Sequence, residues 1–189
     1  MESENEAKVS PEQLYKRFLS GDKEAFEKLV ALYEHELYSF INSIVNDYYE
    51  AKHLMIEAFA ILALKSGQFE ERSSLKTYLF TIGKNLAFKY IKKRVREQHI
   101  SYEEIMDLID DGETPEQFIE RNEFKRDIKK AMQMLNEDYR VVLVLLYFED
   151  MSYEEAGRVM KKNVKQISNL AYRAKASLKQ KLEQTGFSR

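Results

Sequence analysis

Apolar residues recur every three or four positions over most of this chain, which is the spacing of one face of an α-helix. A long apolar stripe runs from Phe26 to Ile44, and Asp22 lies before it, where it can cap a helix that extends to about Asn46. A capping residue followed by an apolar stripe predicts N-terminal helices that begin after Ser10, Asp22, Asp47 and Ser74, the last of which continues to about Gln98.

The C-terminal half repeats this pattern after an acidic stretch. Residues 99–113 carry no sustained apolar period, and the segment 114–117 then repeats the capping pattern of Ser10. Asn136 can cap a further helix that ends at about Phe148. This helix contains an unbroken apolar run that could also be a buried strand. We favour a helix, because the acidic residues directly after Asn136 suit the positive end of a helix dipole.

The segment from Ser152 to Leu182 carries the most specific pattern. Ser152 and Glu155 form a capping box for a short helix, and a three-residue turn then leads to a second helix that Asn163 can cap. The second helix has an apolar face of Val164, Ile167, Leu170, Ala174 and Leu178. Its opposite, polar face holds Lys165, Gln166, Asn169, Tyr172 and Arg173.

Two helices joined by so short a turn have the layout of a helix-turn-helix, whose second helix enters the major groove of DNA. The side-chain amides of Gln166 and Asn169 can bond adenine, and the cation of Arg173 can bond guanine. The alternative is a helical hairpin that only packs. We favour DNA binding, because residues 156–182 include eight basic residues and no acid.

The composition limits both the fold and the chemistry. Six glycines and two prolines among 189 residues are too few for a many-stranded β-sandwich or barrel, so we expect an all-α protein. The absence of cysteine excludes disulfides, thiolate zinc sites, iron–sulfur centres and a cysteine nucleophile.

No apolar run approaches the roughly 20 residues of a membrane helix, and the N-terminus is acidic, unlike a signal peptide. We therefore expect no membrane insertion and a cytoplasmic location.

The net charge of −2 hides an uneven distribution of charge along the chain. Residues 84–96 include six basic residues and no acid, whereas residues 101–123 include nine acids and one base. The basic C-terminal block follows. Any one of these blocks could be a solvated helix face, but together they predict two cationic helical units joined by an acidic linker.

An enzyme is one alternative. The histidines, His35, His53 and His99, lie far apart, and only Glu50 and His53 have the spacing of metal ligands. Glu-x-x-His is half of a ferritin-like di-iron site, which needs a second copy that this sequence lacks. Neither a glycine-rich phosphate loop nor a nucleophile motif occurs. We therefore predict no catalytic residue, no metal site and no cofactor.

Two sets of motifs, in order, span nearly the whole chain. The C-terminal set comprises Leu135–Leu143, Tyr147–Glu155 and Gln166–Ala174. The N-terminal set comprises Gly21–Phe26, Leu37–Phe40, Glu57–Phe59 and Tyr78–Ala87. In composition and spacing, these motifs resemble the sigma-70 family of bacterial RNA polymerase sigma factors, in its small extracytoplasmic-function group.

The resemblance implies two helical domains with separate tasks. Residues 10–98 would read and open the −10 promoter element and bind the polymerase clamp, and residues 114–185 would form the helix-turn-helix domain that reads the −35 element. The acidic linker, residues 99–113, would thread the polymerase channel. The implied function is that of a sigma factor, which binds core RNA polymerase and promoter DNA and leaves catalysis to the polymerase. Members of this group commonly work under an anti-sigma factor, which is a further implied partner.

The resemblance also implies roles for individual residues. The −35 element would be contacted by Lys165, Gln166, Asn169, Tyr172 and Arg173. The −10 element would be contacted and melted by Phe69, Arg72, Lys84, Asn85, Lys89, Lys92, Lys93 and Arg96. Core polymerase would be contacted by His53, Ile56 and Glu57. The loop 68–74 would build the pocket for an unstacked base, although Phe69 could equally be a core residue.

Two departures from the family pattern keep other functions open. His53 and Ile56 stand where the clamp-binding helix usually has an acidic residue and a glutamine. Lys161 stands in the turn where glycine is frequent, and a positive φ there would be strained. The alternatives are a sigma-like DNA-binding regulator that does not direct initiation, and a helical adaptor.

Overall fold

A computed structural model describes residues 9–65, 69–98 and 123–184, and these ranges contain eight α-helices and no strand. The all-α fold that we predicted is confirmed. The linker 99–113 and the cap at 114–117 lie outside the described residues. The helices are α1 (Pro11–Leu19), α2 (Lys23–Val45), α3 (Tyr48–Leu64), α4 (Leu75–Gln98), α5 (Glu123–Gln133), α6 (Glu137–Tyr147), α7 (Tyr153–Met160) and α8 (Val164–Gln184).

The predicted caps form as the local sequence requires. At the start of α1, the Ser10 hydroxyl accepts a hydrogen bond from the Gln13 amide at 3.2 Å, and the Gln13 side chain accepts one from the Ser10 amide at 2.9 Å. The carboxylates of Asp22 and Asp47 cap α2 and α3 in the same position. Each cap satisfies an amide that would otherwise lack a partner, which fixes where the helix begins.

Helices α1–α4 form an N-terminal module around a shared apolar core. Helix α2 packs against each of the other three, and its Phe40 ring lies 5.0 Å from the Phe80 ring of α4. Helix α4 approaches α2 closely at Gly83, because a Cβ there would lie only 2.9 Å from the Leu37 side chain. This contact sets the position of the basic second half of α4 relative to the core.

The apolar run at 141–148 forms helix α6, as predicted, rather than a strand. Five consecutive residues, 141–145, are buried, because α6 packs against α2, α7 and α8 at once. A helix that is enclosed on several sides has no polar face to preserve, which explains the absence of a helical period in this run.

Helices α5–α8 form a C-terminal module, in which Ile167, Ala171 and Ala174 of α8 are fully buried. One prediction for this helix is wrong. We expected Val164 on the apolar face, but its side chain is 47% exposed. Val164 is the first residue of α8, and the buried residues of this helix begin at Ile167.

The turn between α7 and α8 contains a strained residue. Lys161 has φ 55° and ψ 44°, the left-handed conformation that favours glycine. Gly157 stands one turn earlier, where a Cβ would lie 2.6 Å from the Lys162 carbonyl oxygen. The strain that we anticipated at Lys161 is therefore present, and the chain keeps the tight turn despite it.

We expect Lys161→Gly to raise the free energy of unfolding by about 1 kcal/mol, because glycine adopts this conformation without the Cβ clash. Urea denaturation followed by circular dichroism measures the change. Lys162→Gly is the matched control, since φ at Lys162 is not positive, and it should lower stability. Equal effects of the two substitutions would show that the backbone at Lys161 is not strained.

Candidate nucleic-acid interface

The outer face of α8 presents the five polar residues that we predicted to contact DNA. Lys165, Gln166, Asn169, Tyr172 and Arg173 are all exposed, and Tyr172 is 75% exposed. The opposite face is held in the core by the small residues Ala171 and Ala174. The helix therefore offers a continuous surface of amide and cationic groups to a ligand.

Gln166 already has a local role in this helix. The main-chain N–H of Gln166 donates a hydrogen bond to the Asn163 side-chain oxygen at 2.8 Å. In return, the Gln166 side-chain oxygen accepts a hydrogen bond from the Asn163 main-chain N–H at 2.9 Å. This reciprocal pair caps α8. The bidentate adenine contact that we predicted for Gln166 would require this pair to break, whereas Asn169 and Arg173 lie on exposed turns of α8 beyond this cap.

The second half of α4 carries the other basic surface. The predicted DNA-contacting residues that are exposed along this helix are Asn85, Lys89, Lys92, Lys93 and Arg96. Lys84 differs, because it is half-buried and its ammonium lies 5.6 Å from the Phe88 ring. Burial lowers the pKa of Lys84, and the nearby cations of Lys161 and Lys162 lower it further.

The loop between α3 and α4 carries two residues that we predicted to contact the −10 element, and it buries one of them more than the other. The ring of Phe69 packs against Tyr15 at 5.8 Å and against Tyr78 at 5.4 Å between centroids. It therefore belongs to an aromatic cluster at the edge of the core, which is the alternative that we left open. Arg72 is exposed, and its guanidinium lies 2.7 Å from the Glu70 carboxylate.

The residues predicted to contact polymerase lie on the outer face of α3. His53 and Ile56 are exposed, and Ile56 retains 57% of its accessible surface. His53 and Glu57 line an open groove of about 560 Å³ between α3 and the second half of α4, opposite Lys89. Residues that we assigned to polymerase and to DNA therefore meet along one groove.

Other types of site are not found in the described ranges. No group of three or more histidine or acidic side chains there could hold a metal ion. A membrane-spanning segment would need a longer or more apolar helix than any that these ranges contain.

Comparison with known proteins identifies both helical modules. Residues 29–97 match the family model for sigma-70 region 2, and residues 125–178 match the model for sigma-70 region 4. The RNA polymerase sigma-H factor of Pseudomonas aeruginosa is 31% identical over 180 residues, which cover 91% of this chain and 93% of that protein. The chain belongs to the sigma-70 family.

Within this family, the chain is a sigma factor of the extracytoplasmic-function group. The sigma factor SigW of Bacillus subtilis, which carries that designation, is 24% identical over 88% of this chain and 94% of its own length. Sigma-70 proteins are DNA-binding initiation factors rather than enzymes. The resemblance that we drew from the motifs is confirmed.

Two solved structures share this fold. The sigma factor RpoE of Bartonella quintana, in complex with the anti-sigma factor NepR, matches with a TM-score of 0.70 and 26% identity over 84% of this chain and 96% of that one. CnrH, in complex with the cytosolic domain of CnrY, matches with a TM-score of 0.65 and 22% identity over 90% and 96%.

The two modules of this sigma factor also contact one another, which the sequence pattern did not reveal. Lys76 of α4 lies at this contact, with its ammonium 2.8 Å from the Glu36 carboxylate and 3.1 Å from that of Glu149. Burial by itself would lower the pKa of Lys76. The two carboxylates have the larger combined effect, so the pKa of Lys76 is raised. No capping or periodicity signal marks Lys76, because its partners lie 40 and 73 positions away along the chain.

Proposed function

We propose that this sigma factor directs transcription initiation, with residues 114–185 reading the −35 element and residues 10–98 reading and opening the −10 element. The acidic segment 99–113 would join the two domains within the polymerase channel. One observation carries the proposal: both DNA-binding regions occur on one chain, which aligns with a sigma factor over 91% of its length. The region 2 match contains an exposed basic helix, and the region 4 match contains an exposed recognition helix.

In the C-terminal domain, α8 would enter the major groove. The Arg173 guanidinium has the two-pronged geometry that matches the two acceptors of guanine, and the Asn169 amide can donate to N7 of adenine and accept from its N6 amino group. Lys165 and Tyr172 flank these groups and would contact phosphates, together with Gln166, whose side-chain oxygen stays in the cap of α8. This arrangement would place base discrimination mainly on Asn169 and Arg173.

In the N-terminal domain, the exposed cations of α4 would track the DNA backbone while one strand is separated. The cations at positions 84, 89, 92, 93 and 96 would neutralise phosphates, which makes binding strongly dependent on salt. Asn85 offers an exposed amide that would hydrogen-bond an unpaired base. The exposed loop residues around Arg72 would receive that base, in front of the aromatic cluster that holds Phe69.

The partners and location follow from this role. Core RNA polymerase would bind the outer face of α3 through His53, Ile56 and Glu57, and would supply the catalysis, since we propose no enzymatic activity or cofactor for this chain. The cytoplasm, which holds both the polymerase and the chromosome, would be the site of action. An anti-sigma factor is a further proposed partner, because the Bartonella quintana relative was solved in complex with one.

We expect Asn85→Ala to slow strand opening more than it weakens initial binding, because an unpaired base would lose a hydrogen-bonding partner. Permanganate reactivity of thymines measures the rate of opening, and filter binding measures the initial complex. A variant that binds less tightly but opens DNA at the normal rate would exclude the proposed role for Asn85.

The proposal is tested by reconstitution with purified core polymerase and genomic DNA fragments. We expect the chain to co-purify with core enzyme and to produce transcripts with defined start sites that core enzyme alone does not produce. DNA binding without any new transcript would favour the sigma-like regulator. The absence of salt-dependent DNA binding would favour the helical adaptor.

A further inference from the structure

Three lysine ammonium groups face one another beside the turn between α7 and α8. Lys84 belongs to α4, and Lys161 and Lys162 belong to the turn. Lys84 is half-buried, and its ammonium lies 5.6 Å from the centre of the Phe88 ring. The Lys84 side chain is therefore packed in place and does not extend freely into water.

This lysine cluster has more positive than negative charge. Its acid is Asp138 of α6, whose carboxylate lies 3.2 Å from the Lys162 ammonium. Among the described residues, neither Lys84 nor Lys161 has a carboxylate within ion-pair distance. Three ammonium groups and one carboxylate leave a net charge of +2 on the cluster.

The excess of positive charge is unfavourable for the packed lysine. Burial lowers the pKa of Lys84, and the cations of Lys161 and Lys162 lower it further. The Asp138 carboxylate offsets only part of this effect. An additional anion beside the three ammonium groups would remove the remaining penalty.

The backbone at Lys161 is a second observation that indicates a ligand. Its φ of 55° lies in the left-handed region, where glycine would be unstrained. The Lys161 side chain is exposed, so it adds no core packing that would offset this strain. Strained residues of this kind cluster at functional sites. An ammonium group that binds a ligand accounts for a lysine at this position.

The chemistry of the lysine cluster suits an anion with several closely spaced charges. Ammonium groups bind phosphate oxygens as point charges and do not require the planar, two-pronged geometry of arginine. A chain of linked phosphates carries at least one negative charge on each phosphate. Such a chain can neutralise the whole cluster, whereas a monovalent ion cannot.

We propose that Lys84, Lys161 and Lys162 form a binding site for a polyphosphate anion, which is either an inorganic chain or the phosphate chain of a nucleotide. The site joins α4 to the turn between α7 and α8. A bound anion occupies Lys84, which we also assign to −10 DNA, so polyphosphate and DNA compete for this lysine. That competition rests on the function proposed above, whereas the binding site does not.

Isothermal titration calorimetry of the full chain with inorganic tripolyphosphate tests the site, in magnesium-free buffer of constant ionic strength. Lys161→Gly should weaken binding about fivefold, because one ammonium group is lost. Its folding stability should rise, as predicted above, so the loss cannot come from unfolding. Lys179→Ala is the matched control, because it removes an exposed cation of α8 that lies more than a Debye length away, and binding should change by less than about twofold.

Asp138→Asn should have the opposite effect. It removes the carboxylate that competes with the anion for Lys162, so the affinity for tripolyphosphate should rise about threefold. Damage to the fold would not produce a gain. Glu183→Gln is the control, because it removes an exposed acid at the far end of α8, and its affinity should match that of wild type.

Three results would overturn the proposed site: no binding of tripolyphosphate, equal weakening by Lys161→Gly and Lys179→Ala, or no gain in Asp138→Asn. ATP distinguishes the two sources of the anion. Equal affinities for ATP and tripolyphosphate would assign the site to the phosphate chain alone, and tighter binding of ATP would assign it to a nucleotide. These titrations contain neither DNA nor polymerase, so their failure is separate from failure of the proposed function.

Competition is measured with a −10 DNA fragment at constant ionic strength. Tripolyphosphate should weaken DNA binding more in the wild-type chain than in Lys161→Gly, because binding at two sites that share a lysine is reciprocally coupled. Equal weakening in both chains would overturn the proposed competition for Lys84.

Discussion

Arg173→Ala is expected to lower affinity for −35 DNA by about 1–3 kcal/mol, or roughly 5- to 160-fold, because one bidentate base contact is worth that much. Arg173 is exposed on α8, and its removal leaves the core of the C-terminal module untouched. Fluorescence anisotropy with a −35 duplex measures the affinity. A panel of duplexes with single base changes should show that the variant no longer discriminates at one position.

Lys179→Ala is the matched control for this prediction. Lys179 is an exposed cation further along α8, outside the proposed base-contacting set, so its loss should weaken all duplexes equally and reduce the salt dependence slightly. If Arg173→Ala also weakens every duplex to the same degree, then Arg173 contacts phosphate rather than a base.

Arg140→Met is expected to cost about 3–5 kcal/mol of folding stability, because it leaves several buried carbonyl oxygens without a donor at about 1–3 kcal/mol each. The Arg140 guanidinium donates at 2.8–3.0 Å to the carbonyl oxygens of Met132, Gln133, Leu135 and Ser43. Methionine fills much of the same volume but leaves these buried acceptors without a donor. Thermal and urea denaturation measure the loss, which should be concentrated in the C-terminal module.

Arg173→Met is the control for that measurement, because it makes the same chemical change at an exposed position. Surface substitutions of this kind usually change stability by less than about 0.5 kcal/mol. Equal stability of the Arg140 and Arg173 variants would show that the guanidinium network does not hold the turn between α5 and α6.

The sequence predicted the helices well, because helix starts depend on nearby residues. Ser10, Asp22, Asp47, Asn136 and Ser152 each cap an amide three positions further along the chain. A cap at this separation can be recognised without any tertiary information. The exposed face of α8 was predictable for a similar reason, since helical spacing separates its polar and apolar residues.

Features that depend on distant residues could not be predicted in this way. The bond from Arg140 to Ser43 joins positions 97 residues apart, and nothing in the local pattern distinguishes this arginine from an exposed one. Val164 was predicted to be buried from its spacing alone, but it is the first residue of α8 and its side chain is 47% exposed. The assignment of Gln166 to base contact likewise left out its reciprocal cap with Asn163, which uses the side-chain oxygen.

Nucleotide-resolution footprinting of the complex with core polymerase tests the central claim that two modules grip separate DNA elements. On one mapped promoter, Arg173→Ala should remove protection at the −35 element alone, and Asn85→Ala should reduce permanganate reactivity at the −10 element alone. The division of labour between the modules would be contradicted if each variant lost both the −35 protection and the −10 reactivity. It would also be contradicted if neither variant changed either signal.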